Sequence, residues 1–192
     1  MELLERLERE QSEPTVSCHS TKTIHTIGHS TRASEVFLEL LQAHEIQLLI
    51  DVRRWPASKR HPHFNREALA AALTAHDIEY FWRGDLGGFR KPAPDSPNSA
   101  WQVGAFRAYA DFMLTPGFDA IMAELEPIAE QQRIALMCAE AVPWQCHRQL
   151  LADAFLVRGW NVLHIMEKGC RPHALPPFAK VDGQQIVYSG LL

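Results

Sequence analysis

The chain has 192 residues, 46% of them hydrophobic, with 19 Lys and Arg against 23 Asp and Glu for a net charge of −4. That length and apolar share suit one packed domain, and the acidic balance excludes an overall basic field that would hold nucleic acid non-specifically. No apolar run approaches the roughly 20 residues of a membrane helix, and no secretory leader pattern is present. A cytoplasmic protein with no membrane partner is therefore expected.

Residues 1–22 are charged and amphipathic, then polar, and read as a helical or flexible arm ahead of a single α/β domain over residues 23–192. Thr23 to Ile27 is predicted as the first strand, with Gly28-His29-Ser30 as the turn leaving it. Ser30 or Ser34 then caps a helix to about His44, whose Val36, Phe37, Leu40 and Leu41 make an apolar stripe. Gln47 to Val52 is a second strand ending in Asp51-Val52-Arg53, and strand, helix and strand in that order require a parallel pair. The excursion from Arg53 to Arg66 is the most basic place in the chain and interleaves Trp55, Phe64, His61 and His63 with its cations. Asn65 caps a helix to about His76, Ile78 to Trp82 is a third strand, and a glycine-rich loop follows over residues 83–91. Two helices are predicted over Ala100 to Leu114 and from Pro116 to about Gln132. After the strand at Ile134 comes a helix to Arg158 closed by Gly159, then a strand over Asn161 to Met166 and an edge strand over Gln185 to Tyr188.

The stretch Arg133 to Arg148, R-I-A-L-M-C-A-E-A-V-P-W-Q-C-H-R, organises the rest. A short apolar strand buried on both faces runs into a polar loop and then a helix amino terminus, where free N–H groups and partial positive charge attract anions. The predicted fold is a three-layer α/β sandwich with a mostly parallel sheet of about four to six strands flanked by helices. In such a sheet the carboxyl ends of the strands are expected to bring His29, Ser30, Asp51, Arg53, Arg83, Asp85, Cys138, Glu140 and Glu167 to one rim.

T-I-G-H-S at Thr26 to Ser30, D-V-R-x-x-P-x-S at Asp51 to Ser58, L-G-G at Leu86 to Gly88, and C-A-E with C-H-R at Cys138 to Glu140 and Cys146 to Arg148 resemble a known family. It is the domain-of-unknown-function family 488, and the resemblance covers roughly Thr23 to Glu167. It implies an α/β fold with these motifs clustered, and it implies no activity.

Each residue also has a plainer reading. Cys138 is a nucleophile or a small core hydrophobe; Cys146, beside His147 and Arg148 at a helix start, has the cations and the dipole that lower a thiol pKa. Six positions after Cys138 stands Trp144, where the thiolate-phosphate loop of phosphatases would place arginine. Glu140 is an acid or base, or the ion partner of Arg148 or Arg53. Asp51 and Arg53 share a strand face, so they pair or present Arg53 to an anion. His29 is a base, ligand or cap, and Ser30 a cap or a substrate contact. Lys59, Arg60, Arg53 and Arg148 are candidates for holding phosphate. The leading expectation is a cysteine-dependent hydrolase or transferase acting on a phosphate-bearing small molecule or nucleic acid. The alternatives are a non-catalytic nucleotide or nucleic-acid binding module, and a metal-binding protein using Cys138, Cys146 and His147 with His29 or Glu140. No organic cofactor is expected. The four cysteines, which include Cys18 and Cys170, lack a disulfide-framework spacing.

Overall fold

The computed structural model describes residues 22–190. The amino-terminal arm expected over residues 1–22 thus lies almost wholly outside the described residues. Within them the order is β1 (Thr23–Gly28), α1 (Ser34–Ala43), β2 (Leu48–Asp51), α2 (Arg66–Thr74), β3 (Glu79–Trp82), α3 (Gly104–Met113) and α4 (Pro116–Gln131). The chain continues with β4 (Ile134–Cys138), α5 (Arg148–Val157), β5 (Asn161–Ile165), β6 (Cys170–Pro172), β7 (Ala179–Asp182) and β8 (Gln185–Tyr188). The main sheet has the order β3-β2-β4-β1-β5-β6. Its first five strands are parallel and β6 is antiparallel.

The layers follow from the side-chain period of a strand. Every residue of β4 is buried, as a central strand covered on both faces must be. Ile134, Leu136 and Cys138 join one apolar cluster with Tyr109, Phe118 and Phe155 of α3, α4 and α5. Ala135 and Met137 join the other, with Phe37 and Leu41 of α1 and Leu69 and Leu73 of α2. Burying Phe37, Leu38 and Leu41 is worth roughly 1.5–3 kcal/mol each against exposure, which is what holds α1 on its face. No described helix is long and apolar enough to cross a membrane.

Topology then places the crevice. From β1 the chain moves through α1 to β2 and through α2 to β3 in one direction across the sheet, with both helices on one face. It returns through α3 and α4 to β4 and passes through α5 to β5 in the other direction, with those helices on the opposite face. Direction and face reverse together, as right-handed crossovers require. The reversal falls between β1 and β4, which pair from His25↔Ala135 to Gly28↔Cys138. Their loops leave in opposite directions and open a crevice at the carboxyl ends, the usual ligand position of such sheets.

Several local expectations are corrected. The N-cap of α1 is Ala33, with no side-chain cap from Ser30 or Ser34, and Val36 is exposed while Leu38 is buried in its place. Asn65 does occupy the N-cap of α2, but its Oδ1 accepts from Ser58 N at 2.6 Å instead of capping the helix. The helix expected from Ala100 begins at Gly104. Gly159 follows the C-cap Arg158 and takes φ +86, a left-handed conformation that glycine adopts without a Cβ penalty. Gln185–Tyr188 is not an edge of the main sheet; it pairs with β7 in a separate hairpin, and the main sheet ends instead in the short β6.

Candidate active site

The loops after β1 and β4 are joined backbone to backbone. His29 N donates to Cys138 O at 3.0 Å and Ser30 N to Ala139 O at 2.8 Å. Gly28 makes this approach possible, since a Cβ there would lie 1.8 Å from the Glu140 carbonyl oxygen. Ser30 takes φ 52, a left-handed conformation uncommon outside glycine, as the chain turns sharply away. Beside this seam is a pocket of about 510 Å³ lined by His29, Arg53, Cys138, Glu140, Cys146 and His147, with Arg54, Trp55, Phe89 and Arg90 completing its walls.

At the inner wall four groups converge. Cys138 ends β4, and a 3₁₀ turn at Pro143–Gln145 carries Cys146 back beside it, so the polar loop closes on its own start. Cys138 Sγ lies 3.0 Å from Glu140 Oε2, and His147 Nδ1 lies 3.9 Å from Cys138 Sγ and 3.7 Å from Cys146 Sγ. Cys146 Sγ accepts the backbone N–H of Arg148 at 3.4 Å, so the thiol serves the first turn of α5. A hydrogen bond from Cys146, working against desolvation and aided by His147, lowers the Cys138 thiol to about 6. Burial pushes Cys146 well above an ordinary thiol, and the charge on Cys138 raises it further. Partial burial opposes ionisation of Glu140, but hydrogen bonds from Cys138 and Cys146 hold it below the ordinary carboxylate value. At 3.0 Å the Cys138 S–H donates to Glu140 Oε2, and the sulfur also faces Cys146 and His147.

Arg148 is 1% exposed, its Nη2 donates to Glu140 O at 3.3 Å, and its Nε and Nη1 have no partner. It forms no ion pair with Glu140 or any other carboxylate among the described residues, which removes the salt bridge offered by the sequence. Burial lowers its pKa, while the two cysteines and Glu140 are the groups that favour its charge. Arg148 does not line the pocket; it lies beneath the thiols. Arg53 does line it, yet its guanidinium grips Asp51 at 2.9 and 2.6 Å and donates to Phe64 O at 2.9 Å. Asp51 is wholly buried and also accepts from Tyr80 OH at 2.7 Å, outside the pocket wall. Placed so, Asp51 orients Arg53.

His29 stacks on Phe64 at 4.3 Å, bonds Ser30 O through Nδ1 at 2.9 Å, and meets Arg53 Nη1 through Nε2 at 3.2 Å. Since Arg53 only donates, His29 is the Nδ1–H tautomer. Burial first, and Arg53 second, lower it to about 4, so it is neutral at ordinary pH. Ser30 is half-buried and Lys59 and Arg60 are exposed, and these three line no part of the pocket. Arg83 and Asp85 pair with each other, and Arg83 with Glu124, at a neighbouring surface depression; Glu167 is also outside the pocket.

The missed contributors are Arg54, Phe89 and Arg90. Arg90 donates to the Gly87 and Asp85 carbonyls and lies 3.6 Å over the Phe112 ring. Trp55 and Phe89 are 62% and 80% exposed with ring centroids 4.7 Å apart, an apolar pair standing in solvent at the pocket mouth. Their signal was Gly87 in the loop between: a Cβ there would lie 2.6 Å from the Arg54 backbone, so only glycine allows that approach, whereas one at Gly88 would meet His147 Nδ1 at an ordinary 3.6 Å. Read only as a glycine-rich loop, that segment concealed that Gly87 lets it press against the site.

Comparison with known proteins supports the family resemblance. A family model described as "Domain of unknown function DUF488" matches residues 33–155. No curated protein and no solved structure matches the chain.

Proposed function

The chain belongs to the DUF488 family, whose description assigns no activity, and from the site itself we propose a thiol-dependent enzyme acting on a nucleotide-like small molecule. The observation that carries this reading is the Cys138 sulfur, set in the pocket at the switch point of the sheet with Glu140, Cys146 and His147 around it. Perturbed groups cluster at functional sites because chemistry needs them poised near the working pH.

In this reading Cys138, ionised above its depressed pKa, attacks an electrophilic carbon of the substrate as the thiolate. The bond to the leaving group breaks, its electron pair departs with that group, and the group takes a proton from water. The hydroxide so formed releases the product from sulfur and restores the thiolate. Carbon is favoured over phosphorus because Trp144 stands where a phosphate-gripping arginine would follow Cys138. Trp55 and Phe89 offer faces for an aromatic ring. Arg54 and Arg90 supply positive charge on the pocket wall with no ion pair among the described residues. Lys59 and Arg60 lie outside the wall, which favours a small substrate over a nucleic-acid strand.

The test is the alkylation rate of each cysteine against pH, followed by mass spectrometry, together with turnover of a panel of phosphorylated nucleosides. Cys138 should react as a thiolate with a midpoint near 6 while Cys170 does not. Equal reactivity of the two at neutral pH, or undiminished turnover in Cys138→Ala, would remove the thiol mechanism. A second reading has its own observation, since the ligand atoms of Cys138, Cys146 and His147 lie within 4.8 Å of one another. In that reading the trio holds a metal ion, and chelator treatment should then raise rather than leave unchanged the Cys138 alkylation rate.

A further inference from the structure

On the face of the sheet covered by α1 and α2, outside the pocket, lies a second group of soft donors. His25 projects from β1 to that face, as the alternation with Ile27 requires. His44 is the C-cap of α1, and Cys170 opens the edge strand β6. Three elements distant in sequence are thereby brought to one point. The ligand atoms of the three residues lie within 4.8 Å of one another. Cys170 Sγ is 3.6 Å from His44 Nδ1 and 3.7 Å from its Nε2, and the His25 and His44 ring centroids are 6.0 Å apart.

These separations have a chemical meaning. A thiolate at about 2.3 Å and an imidazole nitrogen at about 2.0–2.1 Å on one tetrahedral zinc ion stand about 3.5 Å from each other. The sulfur and the His44 nitrogens are already at that spacing. An S–H···N hydrogen bond would explain that pair alone, but it leaves the third member unexplained. His25 is 6% exposed and its Nδ1 has no hydrogen-bond partner. Native structures rarely leave such a buried nitrogen unmade. Burial also favours the neutral imidazole, the form that ligates metal.

We propose that His25, His44 and Cys170 form a binding site for a thiophilic divalent transition-metal ion of the zinc class. The ion displaces the Cys170 proton to water and takes nitrogen from both histidines. His44 and Cys170 are only half-buried, so solvent supplies the fourth position. The ion ties the end of α1 and the edge strand to the central strand β1, a role in holding the fold that is independent of the pocket chemistry.

The test uses the full chain with Cys18, Cys138 and Cys146 changed to serine, which leaves Cys170 as the sole thiol. That background separates this site from the pocket, so its outcome does not depend on the proposed catalysis. Titration with Co2+ should give sulfur-to-cobalt charge-transfer absorption saturating at one equivalent and abolished by Zn2+. Adding Cys170→Ser should remove the absorption. Adding His44→Gln, at a half-exposed position that tolerates change, should weaken Co2+ binding by about tenfold or more, since even outer-shell partners are worth that much. No charge-transfer band in the single-thiol background, or a band of undiminished affinity in His44→Gln with the folded far-ultraviolet spectrum retained, would overturn the site.

Discussion

Two buried arginines on the same rim have opposite surroundings. Arg53 meets a carboxylate bidentately, a backbone carbonyl and a neutral histidine, so almost every N–H of its guanidinium is matched. Arg148 is still more buried, yet has one long bond to a carbonyl and two unpartnered nitrogens. Buried charge that is paired belongs to the scaffold; buried charge that is unpaired needs an anion nearby. For Arg148 the nearby anions are the Cys138 sulfur and Glu140. Asp51 and Arg53 thus lock the wall of the site, while Arg148 provides a standing positive field beneath the thiols.

Breaking each arginine should expose the contrast. Arg53→Met leaves Asp51 buried without its counter-charge and should cost about 3–5 kcal/mol, measured by urea unfolding. Arg148→Met should change stability in the opposite sense or hardly at all, because an apolar chain replaces a buried guanidinium that makes one long hydrogen bond and no ion pair. Its signature is instead chemical: the pH midpoint of Cys138 alkylation should rise by about one unit, equivalent to about 1.4 kcal/mol of lost preference for the thiolate. Equal destabilisation by the two variants would erase the distinction.

The thiol cluster should also appear in pH dependence. The Cys138 pKa is depressed in the folded protein, so the unfolded chain binds the extra proton between about 6 and the ordinary thiol value near 9, and stability rises with pH across that window. The rise is fully present above the unfolded value and gone below the folded one. Urea midpoints should therefore climb from pH 6 to pH 8.5 in the native chain, and this slope should flatten in Cys138→Ser. Removing the neighbouring donor sharpens the point: Cys146→Ala should raise the Cys138 alkylation midpoint, whereas Cys146→Ser, which keeps an O–H donor, should raise it less. The smallest effect is expected at Lys59→Ala with Arg60→Ala, within about 0.5 kcal/mol in stability and with unchanged Cys138 reactivity, because both side chains stand in solvent outside the pocket.

The fold was largely legible in sequence because periodicity carries it. Ile134 to Met137 shows burial on both faces, and the alternation of strands and helices compels a parallel sheet. Elements without periodicity were not legible. β6 has three residues and no apolar run, and β7 has almost no buried position; β8 was legible as a strand, but its pairing with β7 and its packing on α3 were not. In the site, the residues that a strand end delivers were visible, since Asp51, Arg53 and Cys138 sit where their strands stop. Which of them pair was not, because Asp51 and Arg53 bonding each other and Glu140 turning to Cys138 instead of Arg148 are decided by loop geometry. Arg90 and Phe89 reach the pocket because Gly87 lets their loop close on the Arg54 backbone, a contact whose one mark in the sequence is that glycine.

Of the five tryptophans, Trp55 is the one that lines the pocket, and it stands 62% exposed against Phe89. The molecule therefore carries its own optical reporter at the entrance to the site. Its fluorescence should be red-shifted by water, and a flat ring sliding against it should quench and blue-shift that emission. A Trp55→Phe protein would be silent to the same ligand while keeping an aromatic face to bind it. Occupancy can thus be followed by light before the reaction itself is identified.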